Sequence, residues 1–139
     1  FADHVSIHKW YQCLVVGELE DGESHEPIDD KVAHSRWKVL ETVDSAFTGK
    51  VSLVEVQIFT GRTHQIRKHM LAQATPVLGD DLYTTGRPLR NKGLFLCAMR
   101  LGFRHPVFGY QIEIEIPTPH KLQKRLEFER KYIRETGTC

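Results

Sequence analysis

The chain has 139 residues, 40% of them hydrophobic and 27% charged, and a formal net charge of +1 from 19 basic and 18 acidic residues. That length fits one compact domain, and no apolar run approaches the roughly 20 residues that span a bilayer as a helix. A near-neutral total excludes a binder of nucleic acid that works by bulk charge, while leaving room for local segregation of charge.

The N-terminus, Phe1-Ala2-Asp3-His4, has no basic region followed by an apolar one, so no secretory leader is expected. It does not start with Met, and the chain is expected to be a portion of a longer protein. Trp10 to Val16 is aromatic and β-branched and stops at Gly17, the pattern of a strand. Residues 18–30 carry seven acids and no Lys or Arg, and read as a loop closed by Pro27. Ser35 to Val43 reads as a second strand, with Trp37, Val39 and then Leu40 among polar neighbours. A turn cluster, Asp44, Ser45, Thr48 and Gly49, leads to a third strand over Val51 to Phe59.

From Thr63 the period changes. Ile66, Met70 and Ala74 recur every fourth residue with Leu71 beside them, which predicts one apolar helix stripe, with Thr63 as N-cap and Pro76 forbidding continuation. Pro76-Val77-Leu78 is a short extended piece running into Gly79. Residues 84–93 form a basic loop with Arg87, Arg90 and Lys92. Leu94 to Phe103 and Tyr110 to Ile116 are strands joined by the turn His105–Gly109, a β-hairpin by spacing. Pro117 and Pro119 break the chain, and Leu122, Leu126 and Ile133 mark a terminal helix. Strands, helix, strands, helix, with hairpin spacing, predict an α+β fold: an antiparallel or mixed β-sheet with helices packed on it, undivided over residues 1–139.

The segment Thr60-Gly61-Arg62-Thr63-His64-Gln65-Ile66-Arg67 places two arginines and a histidine at a strand-to-helix junction. Backbone N–H groups at such a junction suit an anion, with Arg62 toward phosphate and Arg67 toward a carboxylate in a cleft. The competing reading is a surface helix with solvated arginines, and the sequence leaves both open. His64 and His69 are five residues apart, about 140° around a helix, so they do not share a metal. Lys9 and Tyr11 fall on one side of a strand with Trp10 on the other; such a Tyr can stack on a nucleobase, or sit half-buried in the sheet. Asp80 and Asp81 diverge as neighbours, and turn capping suits them better than a shared acid–base site. Cys13, Cys97 and Cys139 are scattered and odd in number, so neither a disulfide framework nor a zinc site is expected and a reducing intracellular compartment fits. No nucleophile elbow and no nucleotide-binding glycine motif occurs.

Taken together, Lys9-Trp10-Tyr11 running into Val15-Val16-Gly17, Glu26-Pro27-Ile28, the Thr60–Arg67 segment with His69, Pro76–Tyr83 (PVLGDDLY), and Phe103-Arg104-His105-Pro106 with Gly109 resemble the RluA/RluD-type family of RNA pseudouridine synthases. The likeness runs in the family's order over nearly the whole chain. It implies an isomerase that converts uridine to pseudouridine in rRNA or tRNA without metal or cofactor, by flipping the base and attacking with an aspartate. It implies that Tyr11 stacks on the target base and assists proton removal. Arg67 would hold the aspartate, and Lys9, Arg62, His64, Arg87, Arg90 and Lys92 would meet RNA. The family's aspartate motif lies upstream of the Lys9–Tyr11 strand, and nothing before Lys9 matches it; Leu96-Cys97-Ala98 also replaces a His-containing family triplet with one containing Cys97. The chain therefore resembles the C-terminal half of the catalytic domain, and the missing half, or another chain, is expected to cover its sheet. An alternative in another class is a non-catalytic RNA-binding or ribosome-assembly factor on the same scaffold.

Overall fold

A computed structural model describes residues 7–84 and 93–136. Six strands, β1 (Ile7–Val16), β2 (Gly22–Ser24), β3 (Ser35–Ser45), β4 (Gly49–Ile58), β5 (Leu96–Arg104) and β6 (Gln111–Glu115), form one sheet in the order β2-β3-β4-β1-β5-β6. Every pairing in it is antiparallel. Two helices, α1 (Gln65–Ala72) and α2 (His120–Thr136), complete the α+β architecture.

The alternation of side chains along each strand decides which helix covers which face. Cys13 and Val15 of β1 and Val54, Val56 and Ile58 of β4 cluster with Ile66 and Met70 of α1. Their neighbours in sequence, Leu14 of β1 and Val51 and Leu53 of β4, cluster instead with Leu122 and Leu126 of α2. The sheet is thus sandwiched, and β1 is buried on both faces over Cys13 to Val15. Complete burial of Met70 contributes on the order of 2 kcal/mol to seating the short helix, which at eight residues is too short to be stable alone.

Three expectations are corrected. The acidic stretch 18–30 is not all loop: Gly22–Ser24 pairs with Ser35–Trp37 as an edge strand, and the Trp37 ring packs over Gly22. Thr63 is not the N-cap of α1; His64 is, in the left-handed conformation at φ 53°. Ala74 is exposed and lies beyond the helix, which ends because the Ala74 and Thr75 N–H groups turn back onto the Leu71 and Met70 carbonyls, with Ala74 at φ 62°. The chain has left the helix before Pro76 acts. In β3 the run Val39-Leu40 marks a register shift between Val39 and Glu41, which leaves Leu40 exposed.

Pro76 to Leu78 runs beside the end of β1, with Val16 N–H donating to the Pro76 carbonyl and Leu78 N–H to the Leu14 carbonyl. It delivers Gly79 and Asp80 beneath α1. Gly79 has φ +84°, and a Cβ there would lie 1.9 Å from the Gly93 carbonyl oxygen. At the far end, the β5–β6 turn closes with the His105 Nδ1 accepting from the Val107 and Phe108 N–H groups.

Candidate active site

The segment entering α1 is held by one side chain. Gln65 is buried, and its amide uses both ends. Its Nε2 donates to the His34 carbonyl at 2.9 Å and to Ser35 Oγ at 2.9 Å. Its Oε1 accepts from Thr60 Oγ1 at 2.7 Å and from the Arg62 backbone N–H at 3.0 Å. His69, one helical turn on, accepts from Ser35 Oγ at Nδ1 and donates from Nε2 to the Glu26 carbonyl. These bonds tie α1 to the start of β3. They also take up the Arg62 N–H that an anion at this junction would have needed. Gln65 and His69 carry the geometry, and sequence reasoning gave neither of them this role; the signal was a buried-face position on each turn of the helix filled by a polar residue.

The network aims Arg67, in the first turn of α1, at Asp80. Arg67 Nε donates to Asp80 Oδ2 at 2.8 Å and Nη2 donates to Oδ1 at 2.7 Å, a two-pronged pair. The Asp80 side chain is completely buried and that of Arg67 is 14% exposed. Oδ1 also accepts from the Leu82 and Tyr83 N–H groups, so Asp80 caps the turn as expected and grips the arginine as well. Burial pushes the Asp80 carboxyl upward; the Arg67 hydrogen bonds and the two backbone N–H groups outweigh it and hold it below the usual carboxylate range. The same hydrogen bond raises the Arg67 pKa further above its ordinary value. The Tyr83 ring lies 5.0 Å from the Arg67 Cζ, and its hydroxyl is 3.0 Å from His64 Nδ1.

Arg67, Tyr11, Arg62 and His64 line one cavity of about 260 Å³, walled by Ile58, Ile66, Leu94 and Leu96. Tyr11 reaches it because β1 alternates, and Lys9 follows on the same face. Lys9 itself lines an adjoining, more apolar hollow of about 270 Å³ with Tyr11, Leu101, Ile114 and Ile116, so Tyr11 stands on the ridge between the two. Arg62 precedes the helix, and its Nε donates to the Val32 carbonyl. Arg87, Arg90 and Lys92 lie outside the described residues. Cys13 is buried, and desolvation first, then the neighbouring Cys97, pushes its thiol up to about 12, so it is no nucleophile at neutral pH. The site therefore combines a phenol, a charge-fixed guanidinium and apolar walls: a slot for a flat polar ring beside a place for an anion.

Residues 1–72 match the family model for RNA pseudouridylate synthase. An uncharacterized RNA pseudouridine synthase of Chloroflexus aurantiacus is 36% identical over 84% of this chain and 40% of its own length. A dual-specificity RNA pseudouridine synthase RluA of Pasteurella multocida is 37% identical over 78% of the chain and 56% of its own length. The solved structure of human RNA pseudouridylate synthase domain containing 1 superposes with a TM-score of 0.67 at 27% identity, over 82% of this chain and 56% of that one. The chain thus spans about half, or less, of the proteins it resembles. With the family model covering the strands and the helix that bring Tyr11 and Arg67 together, the chain belongs to the RNA pseudouridylate synthase family.

Proposed function

We propose that this chain is the part of an RNA pseudouridine synthase that receives the flipped uridine and fixes the charge of its nucleophile. The observation that supports it is the convergence of Tyr11 and Arg67 on one cavity, with Arg67 already anchored by Asp80 through Nε and Nη2. Among the described residues, Nη1 makes no hydrogen bond and is left for a second carboxylate. That carboxylate is the attacking aspartate, contributed by polypeptide outside the residues described here. It attacks the nucleoside and the glycosidic bond breaks. The base turns, stacked on Tyr11, and a ring carbon bonds to the sugar as the aspartate is released; the phenol assists removal of the proton displaced from that carbon, and the freed ring nitrogen takes one up. Lys9, Arg62 and His64 contact the RNA around the target, together with Arg87, Arg90 and Lys92. A structured rRNA or tRNA is the substrate, and a reducing intracellular compartment is its setting.

The test is turnover of uridine to pseudouridine in transcribed rRNA and tRNA, read by chromatography of digested nucleosides. A full-length protein carrying this chain converts uridine, and the 139-residue chain alone does not. Conversion by the isolated chain would place the nucleophile within these residues and overturn the assignment.

A further inference from the structure

Away from this cavity, the β2–β3 hairpin gathers a second set of chemical groups. β2 and β3 pair Glu23 with Arg36 and Ser24 with Ser35. One step beyond the ladder sets His25 across from His34, and alternation puts Glu23, His25, His34 and Arg36 on one face. The ligand atoms of Glu23, His25 and His34 all lie within 4.8 Å of one another. Glu23 Oε2 stands 2.8 Å from His34 Nε2 and 3.7 Å from His25 Nε2.

We propose that Glu23 Oε2, His25 Nε2 and His34 Nε2 form a binding site for a divalent first-row transition ion of the zinc class. Ligands about 2.0–2.1 Å from a tetrahedral ion are roughly 3.3 Å apart, and the two separations above bracket that spacing. Two imidazoles and one carboxylate favour zinc, nickel or copper over magnesium or calcium, which take oxygen ligands. Three protein ligands leave a fourth position to water.

The backbone is preorganised for it. The His34 N–H donates to Thr60 Oγ1, and its carbonyl accepts from the Phe59 N–H and from Gln65 Nε2. The His34 ring is stacked between His25 at 4.0 Å and Phe59 at 4.4 Å. The Glu23 backbone is fixed by its strand, while its half-exposed carboxylate adjusts and the exposed His25 ring leaves its stack on His34, since the in-plane lone pairs of parallel rings do not meet at one ion. The bond between Glu23 and His34 is replaced when the ion enters, with the His34 proton moving to Nδ1 or to solvent. Arg36 Nε lies 3.8 Å from Glu23 Oε2 with its guanidinium over Phe59, and is the one cation the ion must tolerate there among the described residues. The expectation of no metal drew on cysteine spacing, on His64 and His69, and on the metal-free chemistry that the resemblance implies, none of which concerns this cluster.

Calorimetric titration of the chain with zinc chloride tests the site, with His25→Ala and Glu23→Gln as variants. The His25 and Glu23 side chains are both exposed, so neither change removes a core contact, and thermal melting without metal checks that both variants fold. One equivalent of zinc is expected to bind, unaffected by excess magnesium, and each variant is expected to weaken it by about tenfold or more. Absence of saturable binding, displacement by magnesium, or unchanged affinity in both variants would overturn the proposal.

Discussion

Arg67 is gripped by one carboxylate, that of Asp80, and the proposed function asks the same guanidinium to serve a second. A free arginine beside an attacking aspartate would have its own rotamers to lose on each encounter; Asp80 removes that freedom in advance by gripping Nε and Nη2. Arg67→Ala in a full-length synthase is expected to lower turnover by at least about a hundredfold while RNA affinity falls far less, because affinity comes chiefly from phosphate contacts. Single-turnover kinetics beside filter binding reads both, and near-normal turnover would remove Arg67 from the mechanism. Asp80→Asn keeps the turn bonds and removes the charge, leaving Arg67 partly buried without its partner, at a cost of roughly 3 kcal/mol of unfolding free energy. The sign with pH follows from the depressed carboxyl: its contribution is present above the ordinary aspartate value near 3.9 and disappears as pH falls through the lower folded value. Urea titrations at neutral pH and in acid are expected to separate wild type from Asp80→Asn in the first and bring them together in the second. Asp80 was legible in the sequence only as a turn residue, because nothing periodic links positions 67 and 80.

At the scale of elements, β1, β4 and the β5–β6 hairpin were readable because alternation of large apolar residues is a strong signal when both helices need a face to cover. β2 was not, since Gly22-Glu23-Ser24 has no apolar residue and exists through its ladder to β3 and the packing of Trp37 on Gly22. The start of α1 was misplaced for a related reason: Thr63 has the composition of a cap, but Gln65 supplies the bond to the Arg62 N–H from inside the helix. Gln65→Leu preserves volume, leaves the Arg62 N–H and the Ser35 hydroxyl without the amide, and leaves the His34 carbonyl with the Phe59 N–H alone, in a part-buried place. It is expected to destabilise the fold by roughly 2–4 kcal/mol and to loosen the Thr60–Arg67 segment. Chemical denaturation gives the first, and faster amide exchange at Arg62 and Phe59 gives the second. A loss below 1 kcal/mol would mean that water replaces the amide there. Gly79 makes a separate demand: a methyl at that position would meet the Gly93 carbonyl, so the approach to Asp80 requires glycine.

For the molecule as a whole, the two sheet edges differ. β2 is three residues long and blunted by its brevity, whereas β6 offers five residues, with Ile114 and, just past its end, Ile116 exposed on the Tyr11 face. Ile114 pairs with Leu101, which pairs with Lys9, so this apolar strip runs without interruption to the ridge that carries Tyr11. A segment that covered β6 would also close the hollow beside the site, and we propose that further polypeptide of the same protein does so. The isolated chain leaves the strip in water, and a bare strand edge with apolar neighbours pairs with its like. Sedimentation velocity is expected to show association of the 139-residue chain that grows with concentration. Changing Ile114 and Ile116 together to Lys should suppress it, because inward-pointing charge makes edge-to-edge pairing costly. In a full-length synthase the same pair of changes should lower both thermal stability and turnover, since the proposed cover makes the strip interior there. A monomeric isolated chain, or a full-length enzyme indifferent to the two lysines, would show that β6 is a finished edge and that the cover over Tyr11 lies elsewhere.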